Sequence, residues 1–134
     1  MTATTITRVA DVMTPRVATI DGMATVDEAI KQMRDSGVSS VIVERKNDDD
    51  EYGMLVVSDV ARHVIAKGRA ASRVNVYEIM TKPVLTVPTE MNIKYAIRLL
   101  VQFSLSRALV VDEQRKPMGI VTLRDMVLRH AHEG

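Results

Sequence analysis

The chain repeats itself. Met13-Thr14 recurs as Met80-Thr81, Thr19 as Thr86 and Ala29-Ile30 as Ala96-Ile97, each at an offset of 67 (86 − 19). Gly53 and Asp59 recur as Gly119 and Asp125 at an offset of 66 (125 − 59), so the second copy has lost one residue in a loop. Order and period together predict two copies of one supersecondary unit, each too small to bury its apolar face alone. That constrains the fold more tightly than any single motif.

Within the first copy, Val17 to Ile20 reads as a strand. Thr25 caps a helix to about Asp35, with Val26, Ala29, Ile30 and Met33 on one face. Gly37 closes that helix. Ser39 to Glu44 is a second strand, Lys46 to Glu51 a polar hairpin loop, and Tyr52 to Val57 a third strand. The acidic run in that loop lacks the ligand spacing and glycine of a calcium loop, so it reads as solvated. Ser58 or Asp59 starts a helix that Gly68 ends, and Arg69 to Arg73 forms a linker. The second copy predicts strands over 84–87, 107–112 and 118–121, with helices over 91–104 and 122–132. A short helical turn precedes each copy and stops before Pro15 or Pro83, while residues 1–5 read as a loose tail. The expected domains are residues 8–68 and 75–132. The expected fold class is α/β in the α+β sense: two β-α-β-β-α repeats, pseudo-twofold related and packed sheet to sheet. In each, the helical crossover implies a parallel strand pair and the hairpin an antiparallel one.

Composition narrows the function. With 134 residues and 46% hydrophobic side chains the chain can build a real core, but 3% aromatics and nine methionines make that core aliphatic. A net charge of +1 gives no electrostatic hold on nucleic acid or an anionic membrane. The absence of cysteine removes disulfides, thiolate nucleophiles and cysteine zinc sites. Apolar runs are strand-sized and the amino terminus has no signal-like core, which predicts a cytoplasmic protein with no membrane partner.

The stretch from Met118 to Met126 runs from a strand into a helix, with Thr122 and Asp125 on one side of the first turn. Two readings are open. Thr-x-x-Asp is a capping signature that only satisfies the helix's own N–H groups. Alternatively, the hydroxyl and unpaired N–H groups hold an anion while Asp125, which a phosphate repels, takes a neutral diol such as a ribose.

The set of motifs resembles a tandem pair of cystathionine-β-synthase (CBS) domains, a Bateman module of stand-alone type. The carriers are Asp11-Val-Met-Thr14, Glu78-Ile-Met-Thr81, Val38-Ser-Ser-Val-Ile-Val43, Leu105-Ser-Arg-Ala-Leu-Val-Val-Asp112, Gly119-Ile-Val-Thr-Leu-Arg-Asp125 and the weaker Gly53-Met-Leu-Val-Val-Ser-Asp59. The resemblance spans about residues 8–132. It implies regulatory binding of an adenosyl ligand in clefts between the repeats: AMP, ADP or ATP, with S-adenosylmethionine or NAD as further candidates. It places ribose at Asp125, phosphate at Thr122 and Arg107, the base over Ile120, and adenine contacts at Thr14, Ala18, Val38 and Ser39. Arg124 is a cation in a helix's first turn and opposes the dipole there; either a bound phosphate offsets that cost or the side chain points to water and pairs with an acid. The second cleft, around Thr81, Leu85, Leu105, Met54, Ser58 and Asp59, is expected to be weak. Val56 stands there where Thr122 stands in the other copy, Ser40 replaces Arg107, and Ser58 replaces Arg124.

No catalytic constellation, metal cluster or phosphate-binding glycine loop is visible, so no enzyme and no catalytic cofactor is expected. His130 and His132 read as a solvated carboxyl-terminal pair. Leu99, Val101 and Phe103 lie outside the main apolar stripe of the 91–104 helix, which points to burial on a second side in a homodimer. Two functions are therefore carried forward. One is a nucleotide sensor that signals through an unknown effector protein. The other is a ligand-free dimerisation scaffold.

Overall fold

The computed structural model describes residues 6–133, with side chains through His130. The tail over residues 1–5 and the side chain of His132 lie outside the described residues. In chain order the helices and strands are α1 (Val9–Val12), β1 (Thr19–Ile20), α2 (Val26–Ser36), β2 (Ser40–Val43), β3 (Gly53–Val56), α3 (Val57–Val60), α4 (Val76–Ile79), β4 (Thr86–Pro88), α5 (Ile93–Gln102), β5 (Arg107–Val111), β6 (Pro117–Thr122) and α6 (Leu123–Glu133). The fold is mixed α+β with two three-stranded sheets, ordered β1-β2-β3 and β4-β5-β6. β1 runs parallel to β2 and β4 parallel to β5, while β2-β3 and β5-β6 are antiparallel hairpins. Crossover and hairpin thus give the pairings that the connection lengths require.

Two compact units form. One comprises Ala18–Val84; the other comprises the chain up to Val17 together with Leu85 onward. Each unit takes in the leading segment of the other sequence repeat. In the first, Val74, Val76 and Ile79 join Val26, Ala29, Met33, Val41, Val43 and Leu55 in one buried cluster. In the second, Val9 joins Val87, Ile93, Ala96, Leu100, Ala108, Val110, Val121 and Met126. A four-residue helix has no stability of its own, so α1 and α4 exist because their apolar residues are buried in these clusters. Backbone bonds lock both segments. Thr81 and Met54 exchange two N–H···O bonds of 2.9 Å, and Thr14 and Ile120 exchange bonds of 2.8 and 3.0 Å.

The helix ends follow the sequence signals closely. Thr25 Oγ1 accepts the Glu28 N–H at 3.2 Å while the Glu28 carboxylate accepts the Thr25 N–H at 2.9 Å, a full capping box. Gly37 closes α2 at φ +66°, a conformation that favours glycine. Several boundaries differ from expectation by a residue or two, and three of the differences have a visible cause or consequence. α5 starts at Ile93, not Met91, because Asn92 caps it by accepting the Lys94 N–H at 2.9 Å. It ends at Gln102, and Ser104 turns the chain at φ +55°. The helix after β3 is α-helical for one turn only, then π-helical over Ala61–Ile65, with the Ala66 N–H reaching Ala61 O at 2.9 Å.

Candidate functional site

In the unit that contains β6, four predicted residues meet on the sheet. Arg107 lies opposite Thr122 in the β5-β6 register, and Thr14 pairs with Ile120. Alternation puts Arg107, Ile120 and Thr122 on one face, away from the face that sends Ala108, Val110 and Val121 into the unit's core. β6 passes into α6 without a break, and the first turn of that helix adds Arg124 and Asp125. Six of the nine residues predicted for the main site are thereby gathered: Thr14, Arg107, Ile120, Thr122, Arg124 and Asp125. Ala18, Val38 and Ser39 belong to the other unit. There Val38 packs against the core cluster with Ala18, and Ser39 O accepts the Val57 N–H.

The capping reading of Thr122 is realised, since its Oγ1 accepts the Asp125 N–H at 3.1 Å. This leaves the hydroxyl proton of Thr122 available to donate. Asp125 is not spent on a reciprocal cap. Its side chain is 40% exposed and faces the Arg124 guanidinium at 3.4 Å, a solvated pair that holds its partners weakly. A half-exposed carboxylate is an acceptor for hydroxyl donors, and the exposed guanidinium beside it is a donor fork for an anion.

Two of the helix-start N–H groups are already committed. The Leu123 N–H bonds Ser106 O at 2.8 Å, and the Asp125 N–H bonds Thr122. Because the strand runs directly into the helix, the carbonyl just before β5 captures the first helical donor.

The counterpart in the other unit is built alike but chemically poorer. Thr81 pairs with Met54, and the Val57 N–H bonds Ser39 O at 3.0 Å. Val56 offers no hydroxyl. The Asp59 carboxylate turns back to accept the Val56 N–H at 3.1 Å and is only 9% exposed. Ser58 is exposed beside it. Leu85 and Leu105, predicted for the same weak site, belong to the other unit and pack against its core.

Sequence reasoning missed why glycine recurs at 53 and 119. A Cβ on Gly119 would lie 2.5 Å from Thr14 O and 2.8 Å from Met13 Sδ. A Cβ on Gly53 would lie 2.8 Å from Met80 Sδ and 3.3 Å from Thr81 O. These glycines let the leading segments cross the sheet. The recurrence was the available signal, but its meaning needed the crossing.

The profile of the CBS domain family matches this chain twice, over residues 9–66 and 76–131. The chain belongs to the CBS domain family. The CBS domain-containing protein YhcV of Bacillus subtilis is 31% identical over 120 residues, which cover 90% of this chain and 83% of that one. A hexameric CBS-CP12 protein from bloom-forming cyanobacteria superposes with a TM-score of 0.88 at 33% identity, over 93% of this chain and 72% of that one. The CBS domain of the bacterial CNNM/CorC family Mg2+ transporter, solved in complex with ATP, has a TM-score of 0.72 at 28% identity, over 90% and 84% of the two chains. The chain spans half the length of a relative from Methanopyrus kandleri and 23% of a homoserine O-acetyltransferase from Methanococcoides burtonii. Among the described residues, no cluster of three or more metal-ligating side chains occurs and no helix is long and apolar enough to cross a membrane.

Proposed function

We propose that this CBS pair is a cytoplasmic regulatory module that binds an adenine nucleotide at the Asp125 site and passes the bound state to a partner protein. The observation that carries this reading is the convergence of Thr122, Arg107, Arg124 and Asp125 on one sheet face and the turn beside it. Asp125 accepts the ribose hydroxyls. Arg107, Arg124 and the Thr122 hydroxyl take phosphate, where a guanidinium fork suits the oxygen geometry. Thr14 and Ile120 stand beside them under the base. The ATP bound by the CNNM/CorC relative supports an adenosyl ligand. AMP and ADP satisfy the same donors, and S-adenosylmethionine or NAD would use the diol contact with less call on the cations. Signalling follows only if the nucleotide binds one conformation more tightly than another.

The Asp59 counterpart is a weak second site. Its carboxylate already accepts a backbone N–H, and the hydroxyl and both guanidinium groups are replaced by Val56, Ser40 and Ser58. No catalytic step is assigned to either position.

A specific observation also supports self-association. Val101 on α5 is 63% and Phe103 just past its end 54% exposed, and Val127 and Leu128 on the neighbouring α6 are exposed as well. Large apolar side chains left uncovered on paired helices fit a homodimer contact. Sedimentation of the native chain beside Phe103→Glu tests it. A dimer lost in the variant supports the contact, and a monomeric native chain contradicts it. Titration calorimetry with ATP, ADP and AMP tests the nucleotide reading. It expects saturable binding that Asp125→Ala and Arg107→Ala each weaken about tenfold or more, roughly 1.4 kcal/mol or greater. An undiminished affinity in Asp125→Ala would refute the site, and no binding by the native chain would leave the scaffold function.

A further inference from the structure

Helices α5 and α6 leave a groove of about 380 Å³ between them, lined by Lys94, Ile97, Arg98, Val127 and His130. Ile97 and Val127 form an apolar floor, with Val127 45% exposed. Lys94, Arg98 and His130 stand exposed along the rim. No carboxylate lines the groove, and no carboxylate among the described residues holds any of these three side chains. The Arg98 guanidinium lies over the Tyr95 ring at 5.4 Å, which leaves its N–H edge open to oxygen acceptors.

The rim charges work against the helix that carries them. Lys94 stands in the first turn of α5, where a cation opposes the helix dipole, and that turn has no acidic residue. Lys94 and Arg98 are one turn apart, and like charges at that spacing destabilise a helix. The other copy avoids both costs. At the offset of 67 (94 − 27), Lys94, Ile97 and Arg98 correspond to Asp27, Ile30 and Lys31. Opposite signs stand one turn apart there, and Asp27 suits the start of α2. At the offset of 66 (130 − 64), Val127 and His130 correspond to Ala61 and Val64. The apolar floor therefore belongs to the fold, whereas the uncompensated cationic rim belongs to one copy.

We propose that this groove is a docking site for an acidic amphipathic helix of a partner protein. Such a helix lays its apolar stripe on Ile97 and Val127, and its carboxylates meet Lys94, Arg98 and the His130 ring. A second copy of the chain is a poor occupant. Its own α5-α6 groove would set cation against cation, and the groove beside α2 has Arg34 as the charged residue of its lining. Its acidic loop, residues 46–51, carries no apolar side chain, and Asp48 and Asp50 there already face Arg45 and Lys82. Val101 and Phe103 of the self-association contact lie at the opposite end of α5 from Lys94, so the two contacts share only Val127. A small anion would stay largely in water, because four of the five lining side chains are exposed, whereas small-molecule sites bury most of their ligand. A membrane engages a protruding apolar face rather than a cleft. Because α6 opens with Arg124 and Asp125, a docked partner rests on the helix where the nucleotide site begins; that link, unlike the docking, depends on the nucleotide reading.

The test titrates the full chain into a fluorescently labelled peptide and reads anisotropy. No nucleotide is present, so the outcome is separate from that of the Asp125 site. The peptide is a helix of about 18 residues, with leucines along one face and glutamates on the others. It should bind saturably with a dissociation constant of about 100 µM or tighter. A peptide with lysine in place of glutamate should not bind. A scrambled peptide of the same composition should bind about tenfold more weakly or worse. Lys94→Glu/Arg98→Glu should weaken the acidic peptide about tenfold or more and take up the lysine peptide instead. Both positions are exposed and an acid at 94 suits the helix start, so this variant keeps its fold. Lys31→Glu/Arg34→Glu, on the exposed surface of α2, should leave the affinity unchanged. No binding at about 1 mM chain, equal binding of the scrambled peptide, or an equal loss in the α2 variant would each overturn the proposal. So would a sedimenting dimer that Lys94→Glu/Arg98→Glu dissociates, which gives the groove to a second copy. Phosphatidylglycerol vesicles that hold the native chain but not that variant would give it to a membrane and overturn the proposal as well.

Discussion

At residue scale, Thr122 and Val56 are a natural substitution pair. Thr122 caps its helix at 3.1 Å, so Thr122→Val should cost about 1 kcal/mol and lower the melting temperature by a few degrees. Val56→Thr should return a similar stabilisation to α3, since Val56 already has extended backbone at φ −115° and ψ 159°. Urea unfolding of both variants checks the opposite signs. Asp50 gives a pH prediction. The hydrogen bond from Lys82, followed by that from the Lys46 N–H, lowers its pKa from the ordinary 3.8 to about 2. A carboxyl lowered by folding stabilises the native state above its unfolded value and loses that contribution as pH falls toward its folded value. The difference in melting temperature between the native chain and Asp50→Asn should therefore be fully open at neutral pH and close as pH drops from about 4 to about 2. The sequence showed Thr122 and Asp125 at the spacing that both a cap and a site require. It could not show that the cap uses the Thr122 oxygen and leaves the Asp125 carboxylate open. Nor did an acidic run reveal that Asp50 is held by Lys82, 32 positions along the chain (82 − 50).

At the scale of elements, the glycine crossings separate backbone clash from side-chain clash. Gly119→Ala places a Cβ 2.5 Å from the Thr14 carbonyl, which is backbone, whereas Gly53→Ala meets the movable Met80 sulfur first. Overpacking of this kind costs about 1–3 kcal/mol, and Gly119→Ala should fall at the upper end and Gly53→Ala at the lower. Hydrogen exchange gives the local signature. The Thr14 and Ile120 amides should lose protection in Gly119→Ala, while the Thr81 and Met54 amides keep most of theirs in Gly53→Ala. Helix α2 was legible because apolar period and capping residue agree, and α5 from its apolar period, although its Asn92 cap went unread. The strand pairings were legible because connection lengths allow few alternatives. The π-helical turn over Ala61–Ile65 carries no marker in its residues. The exchange of leading segments was hidden for another reason: α1 and α4 are too short to signal which core will bury them. Only the recurring Met-Thr and glycine positions, read as a crossing, would have indicated it.

For the whole molecule, duplication explains both what was readable and what distinguishes the copies. One pattern occurring twice gave the family and the two sheets. The departures between copies fall at the proposed nucleotide site: Thr122, Arg107 and Arg124 in one stand where the other has Val56, Ser40 and Ser58. The central claim is that the Asp125 position binds an adenine nucleotide. The most direct measurement is thermal unfolding of the native chain and of Asp125→Ala with ATP, ADP and AMP in parallel. At about a hundred times its dissociation constant a ligand stabilises by roughly 2.7 kcal/mol, which is several degrees for a chain of this size. The native chain should show that shift and Asp125→Ala should lose it, with both proteins melting alike when no nucleotide is present. A native chain that does not shift at millimolar nucleotide, or an Asp125→Ala variant that shifts just as far, would contradict that claim.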